Sequence, residues 1–365
     1  MTTTLSELTI QQTLALTKAA LHETTPDENL FVNLGENDWQ KVFESSVIQG
    51  VMVLVLNGSI RLPKELQPPH SLKLRWIVGV DAIEKQYSHR VKTAEELAAY
   101  FSENNIRMLV FKGIALARLY PLPYSREFGD IDIFLCGKAK EGDVLLERIA
   151  GKNLLAKEKH KNFVYKGILI ENHHTFLNQV DQNSRNLEKR LMMILEKAGM
   201  MTEKNLLYPP PDFDALFVML HLIEHWSCKI ILRFLCDLTV LFTAYKGKID
   251  FSLYRNALSE AGLLKLADIF ISLSVKHLGL NPEYAPPYQS DLSLENRIWD
   301  DLLNPEVPPL PEEKRTLFNI LIYNIRLLRS RYWKNELVFP GQYGKKILNA
   351  AFFYLLHPKK IGQLH

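Results

Sequence analysis

The segment Gly129-Asp130-Ile131-Asp132-Ile133-Phe134-Leu135 sets two acids two residues apart in an alternating apolar pattern. On a β-strand, alternate side chains share a face, so Asp130 and Asp132 project together while Ile131, Ile133 and Leu135 turn toward a core. Carboxylates held side by side repel, and either a proton on one or a cation between them relieves the repulsion. Hard oxygen ligands of this kind suit Mg²⁺ or Mn²⁺. Glu171 follows Ile168-Leu169-Ile170, where a purely structural strand has little use for a charge, and it is the natural third acid. Asp130, Asp132 and Glu171 together would form a metal clamp for in-line displacement at phosphorus. Arg126, four residues before Asp130, would hold a phosphate or fix one of the carboxylates. Gly129 lets another group approach the backbone closely.

The histidines offer a second constellation. His221-Leu222-Ile223-Glu224-His225 matches H-x-x-E-H, the inverted zinc-protease signature. On a helix, His221 and His225 share a face, as a zinc site requires. The pattern is short, and downstream only Glu260 and Asp268 offer themselves as a third ligand. The helix reads better as one wall of a cleft, where His221, His225, Arg233 and Asp237 hold a phosphate or an acceptor, or as a pair of satisfied histidines at a domain contact. His173 shares the strand face of Glu171 and points with it into the cleft. His160 precedes that strand pair and reads as exposed.

The elements that must position these residues follow from pattern. Leu5, Leu8, Leu14 and Leu16 repeat at helical spacing, and Asn37 or Asp38 would cap a second helix through Trp39, Val42, Phe43 and Val47. A long charged helix is expected from about Leu72 to Asn104. The pattern changes at Ile106: Arg107–Phe111 is a buried strand, Ile114–Tyr120 a short helix stopped by Pro121 and Pro123, and Gly142–Gly151 a helix. Asn162–Tyr165 and Ile168–Glu171 flank Lys166-Gly167 as a two-residue hairpin. These make a mixed sheet of four or five strands. Beyond Pro209-Pro210-Pro211, helices are expected at Asp212–Trp226, Ile230–Tyr245, Leu253–Ala261, Leu263–Leu278, Glu312–Leu328 and Gly344–Leu356.

Composition is that of an ordinary soluble globular protein: 365 residues, 47% hydrophobic and 23% charged, with a formal net charge of +3. That balance gives no global argument for nucleic-acid binding. Lys314, Arg315, Arg326, Arg329, Arg331, Lys334, Lys345, Lys346, Lys359 and Lys360 nonetheless cluster near the C-terminus. They form either a solvated helix face or a surface for an anionic polymer or membrane. Cys136, Cys228 and Cys236 show no pairing pattern, and the N-terminal segment lacks the character of a secretory signal. A cytoplasmic protein without a transmembrane segment is expected.

Phe111-Lys112-Gly113-Ile114-Ala115-Leu116-Ala117-Arg118-Leu119-Tyr120, followed by Arg126-Glu127-Phe128-Gly129-Asp130-Ile131-Asp132-Ile133-Phe134, resembles the uncharacterised bacterial nucleotidyltransferase family, grouped with the DNA polymerase β-like superfamily. His221, His225, Arg233 and Asp237 resemble that family's helical His…His…Leu-Arg…Asp segment. The specific resemblance covers about residues 106–240. It implies an α+β fold: residues 1–95 a helical region, 96–200 a small mixed-sheet nucleotidyltransferase core, and 201–365 a second helical region. It further implies Asp130 and Asp132 as the metal-binding pair, Glu171 as the third carboxylate, and a nucleoside triphosphate as substrate, with the acceptor left open. Lys112-Gly113 stands where related enzymes carry a Gly-Ser phosphate turn. Ile114 follows the glycine, so no hydroxyl meets a phosphate there, and Lys112 would supply the contact as a point charge. Three readings follow: an active metal-dependent transferase, a degenerate member working as a nucleotide-binding or interaction module, and a helical scaffold with a basic docking face.

Overall fold

The computed structural model describes residues 6–151, 155–156, 159–226, 230–303, 317–338, 341 and 344. Four helices precede the sheet. Helix α1 (Glu7–His22) starts at Ser6, whose hydroxyl accepts the Thr9 N–H. It is followed by α2 (Glu36–Ile48), α3 (Met52–Ser59) and the 34-residue α4 (His70–Glu103). The cap of α2 is Gly35, not Asn37 or Asp38. Asp38 instead reaches back from the first turn to accept the Gly35 N–H.

The sheet has seven strands rather than four or five. In chain order they are β1 (Leu109–Phe111), β2 (Asp130–Phe134), β3 (Leu155–Ala156), β4 (His160–Tyr165), β5 (Ile168–His173), β6 (Met201–Glu203) and β7 (Leu206–Tyr208). Across the sheet the order is β3-β4-β5-β2-β1-β7-β6. Strands β2 and β5 run parallel, as do β1 and β7, and the remaining neighbours are antiparallel. The β4–β5 hairpin turns at Lys166-Gly167, both with positive φ, as such a two-residue turn requires. Helices α5 (Gly113–Ala117), α6 (Ala139–Ala150) and α7 (Gln182–Ala198) connect the strands. Helix α5 is shorter than the Ile114–Tyr120 expectation, α6 begins three residues earlier than expected, and α7 had no counterpart in the sequence reading.

After the sheet come α8 (Pro211–Trp226), α9 (Leu232–Ala244), α10 (Phe251–Glu260), α11 (Leu264–Leu278), α12 (Leu292–Leu303) and α13 (Leu317–Val338). The fold is α+β, a mixed sheet flanked by helical regions. Residues 345–356 of the helix expected at Gly344–Leu356, the first residues of the one expected at Glu312–Leu328, Cys228 and six of the ten basic C-terminal residues lie outside the described residues. Among the described ones, Arg326 and Arg329 are exposed on α13. Lys334 is not part of that face: it is buried, ion-paired with Asp301, and sits over the Trp226 ring. No helix among the described residues is long and apolar enough to cross a membrane.

The strand alternation divides two cores. Val110, Ile131, Ile133 and Ile170 face one way, against the end of α4 and against α6. Leu109, Phe111 and Phe134 face the other, where Phe176, Phe213 and Phe217 meet them and the N-terminal and C-terminal helices join one apolar mass. Burying each such aromatic contributes about 1.5–3 kcal/mol. The second face also carries Asp130, Asp132, Glu171 and His173, so the acids stand at the open end of the sheet beneath α8 and α9.

Candidate active site

The parallel register of β2 and β5 sets Asp132 directly opposite Glu171, and Asp130 opposite Leu169. The three acids thus reach one site from two hydrogen-bonded strands. Their electrostatics differ. Asp130 is pushed up to about 6, first by burial and then by the charges of Asp132 and Glu171. Burial pushes Asp132 the same way, but Lys112 and His173 outweigh it and hold its carboxyl low. Hydrogen bonds from His160 and His173 likewise overcome burial at Glu171 and hold it far below the usual carboxylate range.

Lys112 comes from the turn after β1, which pairs antiparallel with β2 so that Phe111 faces Asp132. Its backbone has φ 53° and ψ −113°, a conformation that costs a non-glycine residue about 1–3 kcal/mol and is tolerated where surroundings over-determine it. Here it aims Lys112 Nζ at Asp132 Oδ1, 2.6 Å away. Gly113 is required next to it: a Cβ there would meet the Phe128 ring at 2.8 Å. Gly129 has open space where a Cβ would point.

Arg126 is committed elsewhere than expected. It neither fixes Asp130 nor Asp132; its guanidinium donates to both oxygens of Asp237 on α9, at 2.7 and 3.0 Å, and both side chains are buried. Tyr120 Oη donates to the same carboxylate. Arg233, also on α9, donates to the Glu127 carbonyl at 2.6 Å. The pair ties the loop before β2 to α9.

These residues enclose a cleft of about 570 Å³. It is lined by Lys112, Gly113, Arg126, Gly129, Asp130, Asp132 and Glu171 on the sheet side and by His221, His225 and Arg233 on the helix side. His173 and Asp237 lie behind this lining, His173 against Asp132 and Glu171 and Asp237 against Arg126. His221 and His225 share a face of α8 with rings 4.5 Å apart, and burial holds both below the ordinary histidine range. The zinc-protease pattern does not assemble: Glu224 pairs with Lys159, Glu260 with Arg190 and Asp268 with Arg255.

Sequence reasoning missed Lys159, Asn178, Phe128 and Phe234, which also line the cleft. It also misplaced His160, which is 4% exposed and ion-pairs with Glu171 at 3.0 Å. Lys159 and Asn178 are lone polar residues in connecting segments with no pattern to mark them.

A family model described as an uncharacterised nucleotidyltransferase matches residues 35–279. That is well over half of the chain, and the chain belongs to this family. The match runs from α2 to the end of α11, so it takes in helices on both sides of the sheet. No curated protein and no solved structure matches the chain.

Proposed function

We propose that the protein moves a nucleoside monophosphate from a nucleoside triphosphate to an acceptor hydroxyl, with Mg²⁺ or Mn²⁺ held by Asp130, Asp132 and Glu171. The observation that carries this reading is the Asp132–Glu171 strand pairing, with Asp130 crowded beside it at the floor of a cleft of about 570 Å³. The donor set fits a divalent cation. Three carboxylates face one ammonium, and Asp130 is raised to about 6 by burial first and by the charges of Asp132 and Glu171 next. Once bound, such an ion would neutralise that charge and polarise the phosphate under attack. A Gly-Asp-Ile-Asp strand beside a third acid is also the arrangement expected of the DNA polymerase β-like superfamily.

The chain's own groups have separable tasks. Lys112 orients Asp132 and offers the remaining donors of its ammonium to phosphate oxygens. Arg126 and Asp237 anchor the loop that carries Gly129 and Asp130, so Arg126 positions the acids. Lys159 and Arg233 place positive charge across the cleft, suited to an anionic group of the triphosphate or the acceptor. Glu171, opposite Asp132, would ligate the acceptor-side metal or assist deprotonation of the hydroxyl.

One observation favours a second reading, a degenerate member that binds nucleotide without turnover. The Lys112 ammonium already stands against Asp132, and Ile114, buried, replaces the hydroxyl residue after the glycine. The test is to incubate the protein with α-labelled triphosphates, Mg²⁺ and a cell extract and ask which molecule takes the label. Transfer that disappears in Asp130→Asn and Asp132→Asn supports the first reading. Mg²⁺-dependent nucleotide binding without transfer supports the second, and neither transfer nor binding overturns both.

A further inference from the structure

Beside the aspartates lies a set of ligand atoms of a different chemical kind. His160 Nδ1, His173 Nε2 and Glu171 Oε2 come together from the paired strands β4 and β5. Their separations are 3.0 Å (His160–Glu171), 3.4 Å (His160–His173) and 3.5 Å (His173–Glu171). Bonds of about 2.1 Å to a tetrahedral zinc ion put neighbouring ligand atoms about 3.4 Å apart. The trio therefore already has the spacing of three corners of such a site.

Two further observations point the same way. His173 Nδ1 faces the Thr175 carbonyl at 3.2 Å. A carbonyl only accepts, so Nδ1 donates to it, while Nε2 donates to Asp132 at 2.9 Å and faces Glu171 at 3.5 Å in the metal-free protein; an ion would take the place of the Nε2 proton. A ring that donates its far N–H to a carbonyl while turning its other nitrogen into a cluster of anionic oxygens is the usual arrangement of a metal-bound histidine. The trio is also rigid. Lys166-Gly167 fixes the hairpin register, which sets His160 against His173 and leaves both buried. His160 Nε2 has no hydrogen-bond partner, so the ring is held by packing and by the contacts of Nδ1 alone.

We propose that His160, His173 and Glu171 form a site for a first-row transition-metal ion of the Zn²⁺ class, a second site that shares Glu171 with the divalent ion assigned to Asp130, Asp132 and Glu171. Imidazole nitrogens select against Mg²⁺ and in favour of Zn²⁺. Three protein ligands leave a fourth corner for water or an incoming oxygen. The ion holds Glu171 through Oε2 and fastens the β4–β5 hairpin at the end nearest the cleft. The site does not depend on nucleotidyl transfer taking place.

The test titrates the metal-free full-length protein with Zn²⁺ and, separately, with Co²⁺ as a spectroscopic probe, without nucleotide. One equivalent is taken up tightly, Tm rises, Co²⁺ gives the intense visible bands of a tetrahedral site, and excess Mg²⁺ does not displace the ion. Losing a ligand weakens uptake more than losing an outer partner does, so His160→Gln and His173→Gln each cost at least about 100-fold in affinity. Asp130→Asn leaves zinc uptake intact while removing transfer, so this proposal and the transferase reading fail separately. Equal zinc uptake by the wild type and both histidine variants overturns the site. So does a Co²⁺ adduct of the wild type without tetrahedral bands, a result that stands even where a variant fails to fold.

Discussion

Asp130→Asn is expected to stabilise the protein while abolishing transfer. The carboxyl of Asp130 sits at about 6 in the folded chain against an ordinary value of 3.8. Between those two pH values the folded state keeps a proton that the unfolded chain has released. Stability therefore falls as pH rises through that window and stays depressed above it. At ~1.4 kcal/mol per pH unit, the full gap corresponds to about 3 kcal/mol. The amide carries no charge and escapes that loss, so the variant gains about 1–3 kcal/mol at pH 8 after allowing for its own imperfect hydrogen bonding. The gain shrinks toward zero by about pH 4, where both proteins are uncharged at this position. Urea unfolding followed by tryptophan fluorescence reads it directly, since Trp39, Trp76 and Trp226 are fully buried. The experiment is run in chelator at pH 4, 6 and 8. A variant that is less stable at pH 8, or a difference that does not change with pH, would refute the raising of the Asp130 carboxyl by burial and by the charges of Asp132 and Glu171. Added Mg²⁺ narrows the gap by stabilising the wild type more than the variant.

Other substitutions probe the supports of the site. Asp237→Ala strands the buried guanidinium of Arg126 and is expected to cost about 3–5 kcal/mol, while Arg126→Met combined with Asp237→Leu recovers most of it in a double-mutant cycle by chemical denaturation. Lys112→Met removes the ammonium from Asp132 and should weaken triphosphate binding by about tenfold or more, read by calorimetry, because a hydrogen bond to a charged group is worth about 1.5–3 kcal/mol. Gly58→Ala would set a Cβ 2.2 Å from the Leu16 carbonyl oxygen, prising α1 from α3, and should lower stability by about 1–3 kcal/mol or more in the same unfolding assay.

The acids were legible in the sequence because two signals agreed at one place. Period-two alternation through Gly129–Leu135 declared a strand, and the same alternation set both aspartates on one face. The hairpin at Lys166-Gly167 was equally plain, and counting outward from its turn would have set His160 against His173. Placing His160 as exposed ignored that arithmetic. Strands β6 and β7 were not legible: each is three residues long, and Thr202 and Glu203 are exposed, so no burial pattern accumulates. Helix α7 carries an apolar stripe at Leu187, Leu191, Ile194 and Leu195 at helical spacing, so its absence from the sequence reading has no physical ground. The partner of Arg126 could not be read at all. Several acids were in principle available, and choosing Asp237 requires knowing how α9 lies against the loop before β2.

The separation of Arg126 from Asp237, 111 residues, also orders events during synthesis. A ribosome adding about 5–20 residues per second completes the acidic strand roughly 5–20 s before the partner of Arg126 is made. Through that interval the guanidinium and the Tyr120 hydroxyl have no buried carboxylate to meet. Once Glu171 has been added, a nascent chain carries all three acids without the clasp that anchors the loop before β2, and the clasp closes only after α9 has left the exit tunnel.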